Sequence, residues 1–281
     1  MPARFGEGKR DGKAGPLSRL IAVPEPGNFA GMTLTDLDAV EVRDAASGGA
    51  AKREYVRRIF SEIAPRYDLL NHLLSFNVDR RWRARALEAL GWRRAPEGRY
   101  LDLCAGTLDV SAQLAATPGF RGSILGADFA EPMLRAGTGK SPAAIVRPVV
   151  ADALALPVAS GAMDGAIVAF GIRNVADLDH CLGEVRRVLR PGARFVILEF
   201  STPRSPLVRT AYHTYFHHVL PAIGGLVSGH RTAYRYLPES VRHFPEQAAL
   251  AERMTRAGFA NVRWDNLTFG IAAIHVGEAT R

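Results

Sequence analysis

The stretch Arg99–Asp109, RYLDLCAGTLD, constrains this chain more than any other. Tyr100, Leu101 and Leu103 read as a short buried strand, with the carboxylate of Asp102 at its end. Gly106 permits a tight turn, and Thr107 and Asp109 fall where a helix would begin. A strand, a glycine turn and a helix N-terminus form a nucleotide pocket, because free backbone N–H groups point at the ligand. The spacing is not GxGxxG, so the stretch alone does not separate a site from an ordinary strand and turn. Further on, Ser123–Asp128, SILGAD, is a second strand candidate ending in an acid, where a carboxylate that takes ribose hydroxyls is expected. Asp152 follows a third apolar run, Val146–Val150. Three acids closing three successive strand candidates fit an adenosine site better than a phosphate site. No Walker lysine is present to neutralise a triphosphate.

The alternation continues. Gly165–Phe170 reads as a fourth strand, about Leu178 to Leu189 as a helix, Arg190-Pro191-Gly192 as a turn and Ala193–Phe200 as a fifth strand. Near-continuous apolar strands separated by helices imply an α/β fold whose parallel sheet is covered on both faces. Ligands then sit at the carboxyl ends of the strands, where the fourth strand delivers Arg173 and Asn174. An arginine there is equally compatible with a solvated loop. A helix over about Glu246–Ala257, ending at Gly258, precedes a closing strand pair, Asn261–Leu267 and Ile271–Val276.

Before the alternation, Val56, Ile59, Phe60 and Ile63 share one helix face until Pro65 interrupts it. Asp79 is placed to cap a second helix carrying Trp82, Ala86, Leu87 and Leu90. Between them, Tyr67, Asp68 and Asn71 suit either a packing turn or the lid of a pocket. Met1 to about Ala50 is rich in Gly, Pro and charge without sustained periodicity, and reads as a disordered extension preceding one domain, 51–281. A cap segment at about 203–245 is dense in Pro, His, Tyr and Arg. His213, His217 and His218 lack a nearby Cys or HExxH acid, so no metal site is expected; an aromatic helical cap over an apolar ligand fits better.

Two cysteines in 281 residues are too few for a disulfide framework and suit a reducing, cytoplasmic setting. The net charge of +8 fits a nucleic-acid binder, but equally a basic tail and a surface facing anionic lipid. No run of eighteen apolar residues is present, so no membrane-spanning helix is expected.

The pieces from about Val56 to Gly277 together resemble a class I S-adenosylmethionine methyltransferase, and more narrowly the ubiquinone/menaquinone biosynthesis C-methyltransferases. YDLLNHLLSFNVDRRW (Tyr67–Trp82) resembles that family's first signature. FGIRNVAD (Phe170–Asp177) and RVLRPGARFVILEFS (Arg187–Ser201) resemble its central motifs, and HRTAYRYLPESVRHFP (His230–Pro245) its cap. The chain departs from the family at Leu108, where GTGD is usual, and at Asp79, where His is usual. Ala193 stands for the second glycine of PGG, and Ala169 for a serine of some members. If position 108 needs φ > 0, leucine there is strained by roughly 1–2 kcal/mol.

The resemblance implies a Rossmann-like class I methyltransferase sheet with N-terminal helices and a helical cap. It implies S-adenosylmethionine as cofactor, held by Asp102, Gly106, Thr107, Asp128, Asp152 and Ala153, with Asp128 on the ribose. The substrate is a polyprenylated hydroquinone methylated at a ring carbon, with Tyr67, Arg173 and Asn174 on the substrate side. It further implies peripheral contact with the inner face of the membrane, no nucleic acid and no metal, and it admits a homodimer. Two rival classes remain: a methyltransferase of another small molecule or RNA, and a degenerate non-catalytic binder, which Leu108 favours.

Overall fold

A computed structural model describes residues 49–67, 77–203, 205–214 and 231–281. The expected tail, the histidines 217 and 218, and Asp68 and Asn71 lie outside them. So does the side chain of His213.

Two helices come first, α1 (Gly49–Ile63) and α2 (Val78–Leu90). The sheet then begins: β1 (Arg99–Leu103), α3 (Asp109–Ala115), β2 (Ser123–Asp128), α4 (Glu131–Gly137), β3 (Val146–Val150) and β4 (Met163–Ala169). A 3-10 turn, Ile172–Asn174, leads to α5 (Leu178–Val188) and β5 (Leu189–Phe200). Helices α6 (Pro206–Thr214), α7 (Arg231–His243) and α8 (Gln247–Arg256) follow, then β6 (Phe259–Leu267) and β7 (Ala272–Ala279).

The seven strands form one sheet in the order β3-β2-β1-β4-β5-β7-β6. The first five are parallel, and β7 runs antiparallel to both β5 and β6. Alternate residues of the buried strands serve opposite faces. Tyr100, Ile167, Val196 and Leu198 pack with Trp82, Ala86, Leu87 and Leu90 of α2 and Val110 and Leu114 of α3. Leu101, Val168, Phe195 and Ile197 pack on the other face with Cys181, Leu182, Val185 and Val188 of α5 and with Leu250 and Met254 of α8. Helix α5 is capped by Asp177, which accepts the amide of His180 at 3.0 Å.

The strands lie where the apolar runs place them, with three local differences. Arg190-Pro191-Gly192 is no separate turn: it lies within β5, as the excess of a register shift between Met163↔Leu189 and Gly165↔Arg194. Gly192 takes φ +80° there, which is how the strand absorbs extra residues without breaking. The closing pair extends further than expected, since Phe259 pairs with Ala279 before another register shift around Asn261. Asp79 does not cap α2; Asn77 holds that position, and Asp79 is buried in the first turn, 3.1 Å from Arg83. Arg83 also reaches Asp109 at the start of α3, at 2.9 Å, so a charged chain ties α2 to α3.

Leu108 does take φ +63°, immediately before α3. Its side chain is buried at the places where Gly126 of β2 and Gly137 of α4 lack a side chain. A Cβ on Gly126 would stand 2.5 Å from Leu108 Cδ2, so the two glycines make the room that the leucine fills. The strain is about 1–2 kcal/mol. Losing a buried leucine costs about 2–5 kcal/mol. Burial outweighs strain, so Leu108→Gly is expected to lower stability by about 1–3 kcal/mol in a urea titration. A higher urea midpoint would reverse that order.

His275, on β7, is buried, bonded through Nε2 to the carbonyl of Gln247 at 2.9 Å and stacked on Trp264. Burial pushes its pKa down to about 4. The folded imidazole is therefore neutral where the unfolded one, near 6.5, takes up a proton, and stability falls as pH drops between these values. This group alone is expected to remove about 2 kcal/mol between pH 7 and pH 5. His275→Gln should flatten that part of the curve of melting temperature against pH; an unchanged curve would contradict the assignment.

Candidate active site

Strands β1 and β4 are neighbours, paired to the end of β1, from which the chain winds in opposite directions, so the connections beyond their carboxyl ends diverge. A cleft of about 710 Å³, open to solvent, lies there. Its floor is the strand ends: Cys104 and Gly106 after β1, Asp128 and Phe129 after β2, Asp152 and Ala153 after β3, Ala169 to Gly171 after β4. Asn174, Val175 and Ala176 wall one side, and Arg53, Val56 and Phe60 of α1 close it with Tyr67.

The turn after β1 is unusual backbone. Cys104, Gly106 and Leu108 all have positive φ, at 51°, 52° and 63°. Neighbouring carboxylates hold it. Asp128 accepts the amide of Gly106 at 2.9 Å through Oδ2 and that of Ala130 at 2.8 Å through Oδ1. An ionised carboxylate has about four acceptor positions, and with the Phe129 amide also directed at it about one remains for a ligand's hydroxyl. Burial raises the Asp128 pKa, while the amides of Ala130, Gly106 and Phe129 oppose the shift. Asp152 accepts the amide of Leu154 at 3.0 Å and forms a 2.8 Å ion pair with Arg53, which joins α1 to the end of β3 across the cleft.

Of the residues singled out from the sequence, the fold brings Tyr67, Gly106, Asp128, Asp152, Ala153 and Asn174 to this cleft. Asp102, Thr107 and Arg173 are not on its lining. Asp102 is fully buried and accepts both the hydroxyl (2.6 Å) and the amide (3.0 Å) of Ser111, fastening β1 to α3. Burial carries its pKa up to about 7. Thr107 is buried, with its carbonyl against Gly137 of α4. Arg173 is buried too: its Nη1 is 2.6 Å from Glu199 Oε1 and also donates to the carbonyl of Phe170. Its guanidinium lies 5.5 Å from the centroid of Phe200.

Sequence reasoning did not anticipate Arg53, Cys104 or Met133 on the cleft, nor Glu199 behind it. Val56 and Phe60 were legible as one helix face, but only the fold shows that this face covers the strand ends. Glu199 was hidden as the one acidic letter in the run ARFVILEF.

Residues 49–279 match the model of the ubiE/COQ5 methyltransferase family. The demethylmenaquinone methyltransferase of Thermus thermophilus is 53% identical over 223 residues, spanning 78% of this chain and 99% of that protein. The ubiquinone/menaquinone biosynthesis C-methyltransferase UbiE of Geotalea uraniireducens is 47% identical, spanning 81% and 97%. Among solved structures, a SAM-dependent methyltransferase of Thermotoga maritima aligns with a TM-score of 0.54 at 17% identity, over 79% of this chain and 99% of that one, a likeness of fold. With nearly all its described residues matched by the family model and relatives at 53% and 47% identity, the chain belongs to the ubiE/COQ5 methyltransferase family, a family of S-adenosylmethionine-dependent enzymes.

Proposed function

We propose that this enzyme methylates a ring carbon of a polyprenylated hydroquinone, with demethylmenaquinol as the substrate and menaquinol as the product. The observation that carries this is the carboxyl-edge cleft with Asp128 and Asp152 on its floor, in a chain whose relatives bear the names given above. The relative at 53% identity favours the naphthoquinol over the benzoquinol.

The cleft suits S-adenosylmethionine in its donor set. Asp128 offers its remaining acceptor position to the ribose, Asp152 and Ala153 face the adenine edge, and the Gly106 turn leaves room for the methionine end. When bound, the cofactor supplies an electrophilic methyl on a sulfonium. The chain's own task is to orient the ring and favour its ionised form, since a phenolate is a far stronger carbon nucleophile at the ortho position than a phenol. Tyr67 and Asn174 line the cleft where they can orient the ring. Arg173 lies next to Asn174 but is paired with Glu199, so it holds the turn that carries Asn174; a net positive charge behind that turn would favour the phenolate over the phenol, whose reference pKa is about 10. Alignment is worth up to about 7–11 kcal/mol in favourable cases.

The substrate's prenyl tail belongs in a bilayer, so the enzyme works at a membrane surface, at its inner face. Among the described residues no helix is long and apolar enough to cross a membrane. The net charge of +8 supports contact with anionic lipid. So does Phe269, 82% exposed on the turn between β6 and β7, where Thr268 binds the indole of Trp82 at 3.0 Å. The rival reading as a non-catalytic binder loses its main argument, because the side chain of Leu108 is packed between β2 and α4 rather than lining the cleft.

Purified protein supplied with S-adenosylmethionine is expected to methylate demethylmenaquinol in preference to the corresponding benzoquinol, read as methylated product by mass spectrometry. No product from either would overturn the proposal. Asp128→Ala should weaken cofactor binding by roughly tenfold to a hundredfold in calorimetry, the loss of charge-assisted hydrogen bonds worth about 1.5–3 kcal/mol.

Arg173→Ala is expected to lower kcat by loosening the turn that carries Asn174, and by less than the roughly 10²–10³ lost with a donor that touches the reacting oxygen. It also strands Glu199 as an uncompensated buried charge, at about 3–5 kcal/mol of stability. The double variant Arg173→Met/Glu199→Gln removes both charges and separates the effects. A stable double variant with normal kcat would show that the arginine serves the fold alone.

A further inference from the structure

Behind the Ile172–Asn174 turn lies a buried polar cluster whose lysine no step above uses. Lys52 of α1 is buried, and its Nζ donates to the backbone carbonyl of Arg173 at 2.7 Å. Glu199, near the end of β5, accepts from Arg173 Nη1 at 2.6 Å and from the Arg173 amide at 3.4 Å. Helix α7 closes the cluster by packing Tyr236 on Tyr55 of α1, ring centroids 5.5 Å apart. Three buried polar atoms here have no partner: Arg173 Nε, Asn174 Oδ1 and Tyr236 Oη. Asn174 is the member that lines the cleft.

The charges do not cancel. Glu199 and Arg173 neutralise each other as a contact pair, and among the described residues the ammonium of Lys52 is left over. Arg53, next to it on α1, is paired with Asp152, and Glu54 with Arg57. On α4, which also packs on α1, Glu131 and Arg135 pair with each other at the surface. Tyr236, from α7, is held neutral, since burial pushes its pKa above the usual phenol value. Glu199 is thus the acid that acts on Lys52, and its charge is already shared with Arg173.

We propose that Lys52 is a positioning residue of the methyl transfer: it fixes the Arg173–Asn174 peptide so that Asn174 faces the cleft, and it supplies the unbalanced positive charge behind that wall. The inference rests on the quinol-methylation reading above. A phenolate forming in the cleft is favoured by a net positive charge several ångströms away across a poorly solvated wall, and the neutral Arg173–Glu199 pair alone provides little of it. Lys52 gives up no proton to the substrate and accepts none.

Burial, and then the charge of Arg173, lower the Lys52 pKa to about 8, with Glu199 opposing the shift. The ammonium is charged below that value and neutral above it. Turnover should therefore fall as pH rises through about 8, although the substrate's own ionisation pushes the other way. An arginine at this position stays charged across the working range.

The test is the pH profile of kcat, with KM for both substrates, for the wild-type full chain, Lys52→Arg and Lys52→Met. Melting temperature is recorded beside each. The wild type should lose turnover above about pH 8, and Lys52→Arg should carry its plateau to higher pH. Lys52→Met should fall roughly tenfold to thirtyfold in kcat below pH 8, with no alkaline limb and little change in KM for S-adenosylmethionine. If Lys52→Met superposes on an active wild type, or its loss is all in cofactor KM or in unfolding, Lys52 is structural and the inference is wrong. A wild type with no quinol turnover overturns the proposed function itself, and this inference with it.

Discussion

The turn after β1 is the constraint on which the site depends. Three of its residues, Cys104, Gly106 and Leu108, have positive φ, and two of these carry side chains that disfavour it by roughly 1–2 kcal/mol each. Such backbone persists only where its surroundings over-determine it. Here Asp128 holds the Gly106 amide, Asp102 holds Ser111 at the start of α3, and Leu108 fills the space left by Gly126 and Gly137. The same bonds orient Asp128 toward the cleft, so the acid that fixes the turn is also the acid poised for a ligand.

The helices over the strand ends are attached by charge as much as by apolar packing. Val56, Ile59 and Ile63 of α1 pack with Tyr236 of α7 in a small core of their own, separate from the two large ones on the sheet. Arg53 reaches Asp152, and Lys52 reaches the carbonyl of Arg173. Burying ions is costly unless each is paired and hydrogen-bonded. Glu199 meets that condition with three donors, the Arg173 guanidinium, the Arg173 amide and the Phe200 amide. A wall fastened in this way keeps a fixed geometry beside the cleft, which apolar contacts alone would specify less sharply. The arrangement also divides the labour between neighbours: Arg173 is turned inward to Glu199, while Asn174, one residue on, faces the cleft.

The sequence by itself determined the sheet and the place of the site. Runs such as LDL, SILGAD and VILEF carry side chains for both faces of a strand, and that pattern has few solutions other than a parallel sheet covered on both sides. Acids ending such strands lie at the carboxyl edge whatever the details, which is why Asp128 and Asp152 were legible. The departure at Leu108 was legible as a strain, because φ at a helix start after a tight turn is a local property. Tertiary structure alone decided the rest. Whether Leu108 is tolerated depends on two glycines on β2 and α4, distant in sequence, that no local pattern links to it. Whether Asp102 and Arg173 face a ligand or the interior depends on what stands behind them: Ser111 for one, Glu199 for the other. Lys52 carries no local sign of burial; it is buried because α7 and the Ile172–Asn174 turn close over it. Periodicity reports which face of a segment is apolar, but the charge on a side chain is worth what its partners make it, and those partners are assembled only by the fold.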